Sequence, residues 1–279
     1  MIPLRWIPAA ALVILGTVMA KDREGFDPGF YAFENGVKFP SVAEGAHAMK
    51  EMGYAGVGSV HPNVLGSFLK EFDAAGLRVF SIYVGAQVGE GAETEFPAIS
   101  KAVSQLKGRD ALVELFVRKG KATTDAHAVA FVRKVAAEAK EAGLKVVLYP
   151  HSGFYVETVD DAVRIAKATG AENIGVAFNL CHFLKVEPES DLRATLDKAG
   201  PLLWSVSTCG AEAGGSDWRA LIQPLDRGDF DQAGLLRHLR EIGYRGDVGL
   251  QCYGLKEPST AHLPKSLDAW KRIRASVAE

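Results

Sequence analysis

The chain has 279 residues, 48% of them hydrophobic and 24% charged, which is the composition of a globular protein able to bury a sizeable core. Its 32 basic and 34 acidic residues are scattered and leave a formal net charge of −2. That balance lacks the basic surface that nucleic acid or an anionic membrane demands of a partner.

The first twenty residues stand apart. MIPLR supplies one cation, WIPAAALVILG a short apolar stretch, and TVMA ends with Val18 and Ala20 at the −3 and −1 positions of a cleavage site. This is the layout of a secretory signal peptide. The apolar stretch is shorter than the ~20 residues a membrane span needs, and no cysteine follows Ala20 to carry a lipid; an uncleaved anchor is the alternative. The sequence therefore predicts a signal peptide over 1–20 and one domain over 21–279, secreted or periplasmic, with no membrane attachment after cleavage. In an oxidising compartment the three cysteines, Cys181, Cys209 and Cys252, could form one disulfide at most. All three fall late in predicted strands.

From residue 30 the chain alternates. FYAFENGV (30–37) reads as a strand, and SVAEGAHAMKEMG (41–53) as a helix capped by Ser41 and stopped by Gly53. AGVGSV, RVFSIYVGA, ALVELFV, KVVLYPH, NIGVAFNL, LLWSVST and DVGLQCY follow as short, almost wholly apolar strands. Between them run helical patterns, clearest in TTDAHAVAFVRKVAAEAKEAGLK, which ends near Gly143, and in DFDQAGLLRHLREIGYRG. A last helix is expected over SLDAWKRIRASVAE (266–279). Apolar strands separated by helices indicate a covered parallel sheet, and eight such units in this length match an α/β (β/α)₈ TIM barrel. An open doubly wound sheet would carry a Gly-rich phosphate loop after its first strand, and ENGVKFPS is not one.

In such a barrel the active face lies at the strand C-termini. The polar residues expected there are Glu34, His61, Gln87, Glu114, Tyr149, His151, Asn179, His182, Lys185, Ser207 and Gln251. Such a ring suits a small polar ligand such as a sugar, although some of its members only fill the barrel mouth.

Three segments carry a resemblance. KVVLYPHSG resembles the fifth-strand segment, NIGVAFNLCHF the sixth-strand segment, and PLDRGDFDQAGLLRHLREIGYRGDVGLQCYG the approach to the eighth strand of the xylose-isomerase-like barrel family, which includes sugar isomerases, ketose epimerases and the family 2 apurinic endonucleases. The resemblance implies a divalent metal held by two Glu, one Asp and one His. Carried over by position, those ligands fall at Tyr149, Asn179, Ser207 and Gln251, none of which is a carboxylate or an imidazole. His151 and His182 remain. A hard dication needs anionic oxygen or neutral imidazole ligands, so no metal ligands are assigned and no metal cofactor is expected. Glu-to-Gln and Asp-to-Asn exchanges keep size and hydrogen-bonding reach while removing charge.

Three readings follow. In the first, an exported sugar isomerase or epimerase works without the metal: His151 and His182 act as acid and base, Lys185 stabilises an oxyanion, and Tyr149 and Glu114 are further acids. Glu34, His61, Gln87, Asn179, Ser207 and Gln251 would bind the substrate. In the second, the barrel binds a carbohydrate without turnover, with Trp218 and Tyr253 offering faces to the ring and Trp204 belonging to the core. In the third, Cys181, Cys209, His151 and His182 hold zinc or copper, strand alternation aiming both cysteines inward.

Overall fold

The computed structural model describes residues 26–89 and 95–277; the signal-peptide expectation over 1–20 lies outside them. Nine parallel strands run β1 (Phe30–Phe33), β2 (Gly56–Gly58), β3 (Arg78–Val79), β4 (Ser81–Val88), β5 (Leu112–Lys119), β6 (Lys145–Leu148), β7 (Ile174–Asn179), β8 (Leu203–Thr208) and β9 (Val248–Leu250). Their order is β3-β2-β1-β9-β8-β7-β6-β5-β4. β3 and β4 are one strand interrupted at Phe80, whose N–H still donates to Val57 O while its carbonyl accepts from Leu112 N. Val60 also bridges Ile82. The sheet thereby closes on itself as an eight-position barrel with helices outside.

Alternation along the strands explains the two cores. Val113, Leu115 and Val117 of β5, Val146 and Leu148 of β6, and Val176 and Phe178 of β7 point out and pack beneath the helices. Tyr31, Phe33, Phe80, Val147, Tyr149 and Ala177 point in and fill the lumen. Tyr31 stacks on Phe80 with ring centroids 4.3 Å apart. A Cβ on Gly58 would meet the Tyr31 ring at 2.3 Å, so glycine is the residue that lets this aromatic plug form.

The helices follow local chemistry. Ser41 accepts from Glu44 N and Gly53 closes the helix Val42–Met52 at φ 98°. Thr158 and Asp161 form a reciprocal capping box on Val159–Thr169. Several boundaries differ from the sequence pattern: the strand expected over 30–37 stops at Phe33, where a 3-10 turn, Glu34–Gly36, begins. The final helix begins at Ser259 and accommodates Pro264, seven residues before the expected start. The strand ending NIGVAFNL stops at Asn179, and a helix, Leu180–Val186, begins at once with Asn179 as its cap. No helix among the described residues is long and apolar enough to cross a membrane.

Candidate functional site

A cavity of about 960 Å³ opens at the C-terminal ends of the strands. Its floor is Ser59, Tyr83, Phe116 and Tyr149, and one wall is Phe154, His151, His182 and Trp218. Glu34, His61 and Gln251 also line it, as do Arg118, Arg227 and Tyr253. Arg118 is paired with Glu95 at 2.7 Å, and Arg227 with Glu257.

The two histidines form the centre of the wall. Their ring centroids are 4.0 Å apart, and Phe154 stacks on the outer face of His151 at 3.9 Å. His151 Nδ1 lies 2.9 Å from the carbonyl oxygen of Ser152, which can only accept. That bond assigns the proton to Nδ1 and leaves Nε2 as an acceptor. His182 Nδ1 accepts from Ser152 N at 3.4 Å, which assigns its proton to Nε2. Burial, together with the adjacent His151, pushes the His182 pKa down to about 3. His151 is lowered mainly by burial, with the Ser152 carbonyl and Glu157 opposing. Both imidazoles are therefore neutral at neutral pH, one offering a lone pair and the other an N–H.

The positions that the resemblance assigns to metal ligands are occupied differently. Asn179 Nδ2 donates to the Tyr149 hydroxyl at 2.5 Å, and its Oδ1 accepts from Cys181 Sγ at 3.0 Å and His182 N at 3.4 Å. Ser207 Oγ donates to Phe178 O at 3.5 Å. Gln251 Oε1 accepts from Asn35 Nδ2 at 3.1 Å and Tyr253 N at 3.0 Å. Burial raises the Tyr149 phenol far above its ordinary range, reinforced by Tyr83, Cys181 and Glu114. None of the four is an anion or an imidazole, and the two amide oxygens already accept two hydrogen bonds each. This donor set does not fit a hard divalent cation.

Glu114 points into the lumen just below the floor and is fully buried. Ser59 Oγ donates to its Oε2 at 2.7 Å, whereas Oε1 has no hydrogen-bond partner. Burial lifts its pKa to about 7, partly offset by the hydroxyls of Ser59 and Ser81. Glu34 is raised by burial, with His61 and Lys38 acting against it.

Of the residues singled out in the sequence, the structure brings Glu34, His61, Tyr149, His151, His182 and Gln251 to the cavity surface. Glu114, Asn179 and Ser207 lie buried beneath or behind it. Two stand elsewhere. Gln87 is exposed and donates to Lys119 O at 2.9 Å. Lys185 is exposed, donates to Ser216 O at 2.5 Å and sits over the Trp218 ring; the helix that starts at Leu180 sets it apart from the residues that line the cavity. That helix also removes Cys181 from strand alternation. Cys181 and Cys209 are buried with Leu221 and Ile222 in a separate apolar cluster, and all three cysteines are free thiols. Among the described residues no group of three or more His, Cys, Asp or Glu is placed to hold a metal ion, so the zinc or copper cluster does not assemble. Trp204 packs against the lumen and donates to Pro201 O.

Sequence reasoning missed Ser59, Tyr83, Phe116 and Arg118. Ser59, Phe116 and Arg118 lie within one residue of where the pattern ended a strand, and Tyr83 sits inside β4 opposite Glu114.

A closed parallel barrel with a polar and aromatic cavity at the strand C-termini defines an α/β barrel with a ligand-sized cavity on its active face. The chain belongs to the xylose isomerase-like TIM barrel family, whose model matches residues 46–273. Among solved structures it resembles the apo form of the 3-keto-D-glucoside 4-epimerase YcjR from E. coli, at 18% identity and TM-score 0.69 over 89% of this chain and 100% of that one. It also resembles D-psicose 3-epimerase from Clostridium cellulolyticum H10, solved with D-tagatose, at 14% identity and TM-score 0.68 over 90% and 100%. A third neighbour is the IOLI protein with a bound zinc atom, at 14% identity and TM-score 0.67 over 90% and 98%. Comparison with curated proteins by sequence gives no match.

Proposed function

We propose that this chain is an exported enzyme that isomerises or epimerises a sugar or sugar derivative through its paired neutral imidazoles, without a hard divalent cation. The observation that carries the reading is the complementary tautomer pair in the cavity wall. His151 Nε2 would accept a proton from the carbon beside a sugar carbonyl, becoming imidazolium. His182 Nε2–H would donate a hydrogen bond to the carbonyl oxygen as negative charge develops there. Return of the proton from His151 to the neighbouring carbon of the enediolate, with that carbon's hydroxyl proton passing to the former carbonyl oxygen, gives the isomer and restores the neutral base; protonation of the original carbon on its opposite face by solvent, with loss of the His151 proton to solvent, gives the epimer. Phe154 and Trp218 in the wall supply apolar surface against which a sugar ring can lie. The epimerase neighbours, one of them solved with D-tagatose, support the substrate class.

The test is proton exchange in D₂O. Purified protein treated with EDTA should wash deuterium into D-tagatose or D-fructose, followed by NMR, and His151→Ala should abolish this. Exchange lost on chelation and restored by manganese would refute the metal-free route. A second reading, carbohydrate binding without turnover, is favoured by the exposed aromatics of the rim, Trp218 at 41% and Tyr253 at 66%. Under it, His151→Ala would weaken sugar affinity and no exchange would occur in wild type.

A further inference from the structure

The tautomer pair leaves unused Glu114, the one carboxyl group among the described residues that is sealed into the lumen. Glu114 has the hydroxyls of Ser59 and Ser81 beside it, and its charge adds to burial in holding the phenols of Tyr31, Tyr83, Tyr149 and Tyr244 above their ordinary range. Its contact with the cavity runs through Ser59, which forms part of the floor while its Oγ–H points down to Oε2 at 2.7 Å. Ser59 is held in an unusual way. Its φ is 54°, one of two positive-φ residues other than glycine among the described residues, and its N–H donates to Ser81 Oγ at 2.7 Å. A non-glycine residue in this region costs about 1–3 kcal/mol and persists where surrounding structure enforces it. Here the enforced conformation places an oxygen whose proton is already committed downward, so its lone pairs are offered to the cavity.

We propose that Ser59 and Glu114 form a second proton-accepting device in the cavity floor, in which Ser59 receives a proton from a bound sugar hydroxyl and passes its own to Glu114. The balance is simple. The substrate O–H bond breaks and an O–H bond forms on Ser59; the original Ser59 O–H breaks and one forms on Glu114. Serine stays neutral, the carboxylate becomes the acid, and the negative charge moves to the sugar oxygen. Ser59 is the residue that touches substrate, and Glu114 is a positioning residue acting through it. A carboxyl group that burial lifts to about 7 is matched to a proton of this kind near neutral pH. The inference rests on the proposed sugar chemistry and adds to it the group that handles hydroxyl protons.

Two variants and two readouts test it. Ser59→Gly removes the hydroxyl but suits the positive φ, so relief of backbone strain works against the loss of the bond to Glu114 and the variant should fold, which its melting curve checks. Glu114→Gln keeps the shape. With D-tagatose and D-fructose in D₂O, both should lower exchange at least tenfold, and the rise of wild-type exchange with pH through about 7 should vanish in Glu114→Gln. Wild-type rates and pH profile in these variants would overturn the proposal. The second readout needs no sugar: infrared titration of the Glu114 carboxyl band, identified by its loss in Glu114→Gln. A band that titrates near neutrality and moves in Ser59→Gly supports the pair, and one fixed across roughly pH 5–9 overturns it. If wild type exchanges neither sugar, the isomerase reading fails, and the band alone decides for or against the pair.

Discussion

Two sets of polar side chains share the mouth of one barrel and differ in what they leave free. Asn179 bonds both Tyr149 and Cys181, and Gln251 is held by Asn35 and Tyr253. His151 and His182 each have one nitrogen fixed by Ser152, and both residues line the cavity. The first set spends its hydrogen-bonding capacity on the protein itself. The second keeps half of it for a ligand. A polar residue at a strand end is thus a candidate for chemistry only when a lone pair or a proton remains after its neighbours are served.

The contrast can be broken by substitution. His151→Ala should reduce sugar proton exchange by ~10²–10⁴-fold, with a smaller effect on stability than the next change. Asn179→Ala strands the Tyr149 hydroxyl, the Cys181 thiol and the His182 amide together, and should cost ~2–4 kcal/mol in urea denaturation. A loss below ~1 kcal/mol would mean that the belt is not a closed network.

The pH dependence sharpens the same comparison because the two buried groups have opposite signs. Glu114 is raised from 4.5 to about 7, so its neutral form is favoured in the folded protein. That stability is complete below 4.5 and is lost as pH rises through about 7, amounting to ~3 kcal/mol. Glu114→Gln should therefore gain up to that amount on wild type between pH 5 and pH 8, measured by denaturation at each pH. His182 is depressed from 6.5 to about 3. Its contribution is present above 6.5 and falls away as pH drops towards 3, and His182→Asn should flatten that acid limb. Away from the cavity the effects shrink. Thr158→Ala removes half of a capping box and should cost ~1 kcal/mol. Lys185→Ala, at an exposed amine bonded to Ser216 O, should stay within ~0.5 kcal/mol and leave exchange unchanged.

The barrel was legible because its signals are local and repeated. Strands such as KVVLYPH and NIGVAFNL are apolar on both faces, as a covered parallel sheet requires, and Ser41, Gly53 and Gly143 punctuate helices where expected. What escaped were features set by neighbours. The break at Phe80 keeps both ladder bonds, so nothing in the local pattern marks it. Asn179 caps a helix that starts immediately after its strand, and this single event moved Cys181 and Lys185 away from their expected places. Ser59 gave no signal, because its importance lies in a φ of 54° and in a carboxyl group 55 positions later in the chain. The replaced ligand positions were readable from resemblance, but the hydrogen bonds that occupy them were not.

The central claim is that neutral imidazoles, and not a dication, carry the chemistry of this cavity. Deuterium exchange into D-tagatose by EDTA-treated protein tests it most directly. The account predicts exchange that is indifferent to chelator and abolished by His151→Ala. Exchange that stops with EDTA, returns with manganese and survives His151→Ala would contradict it.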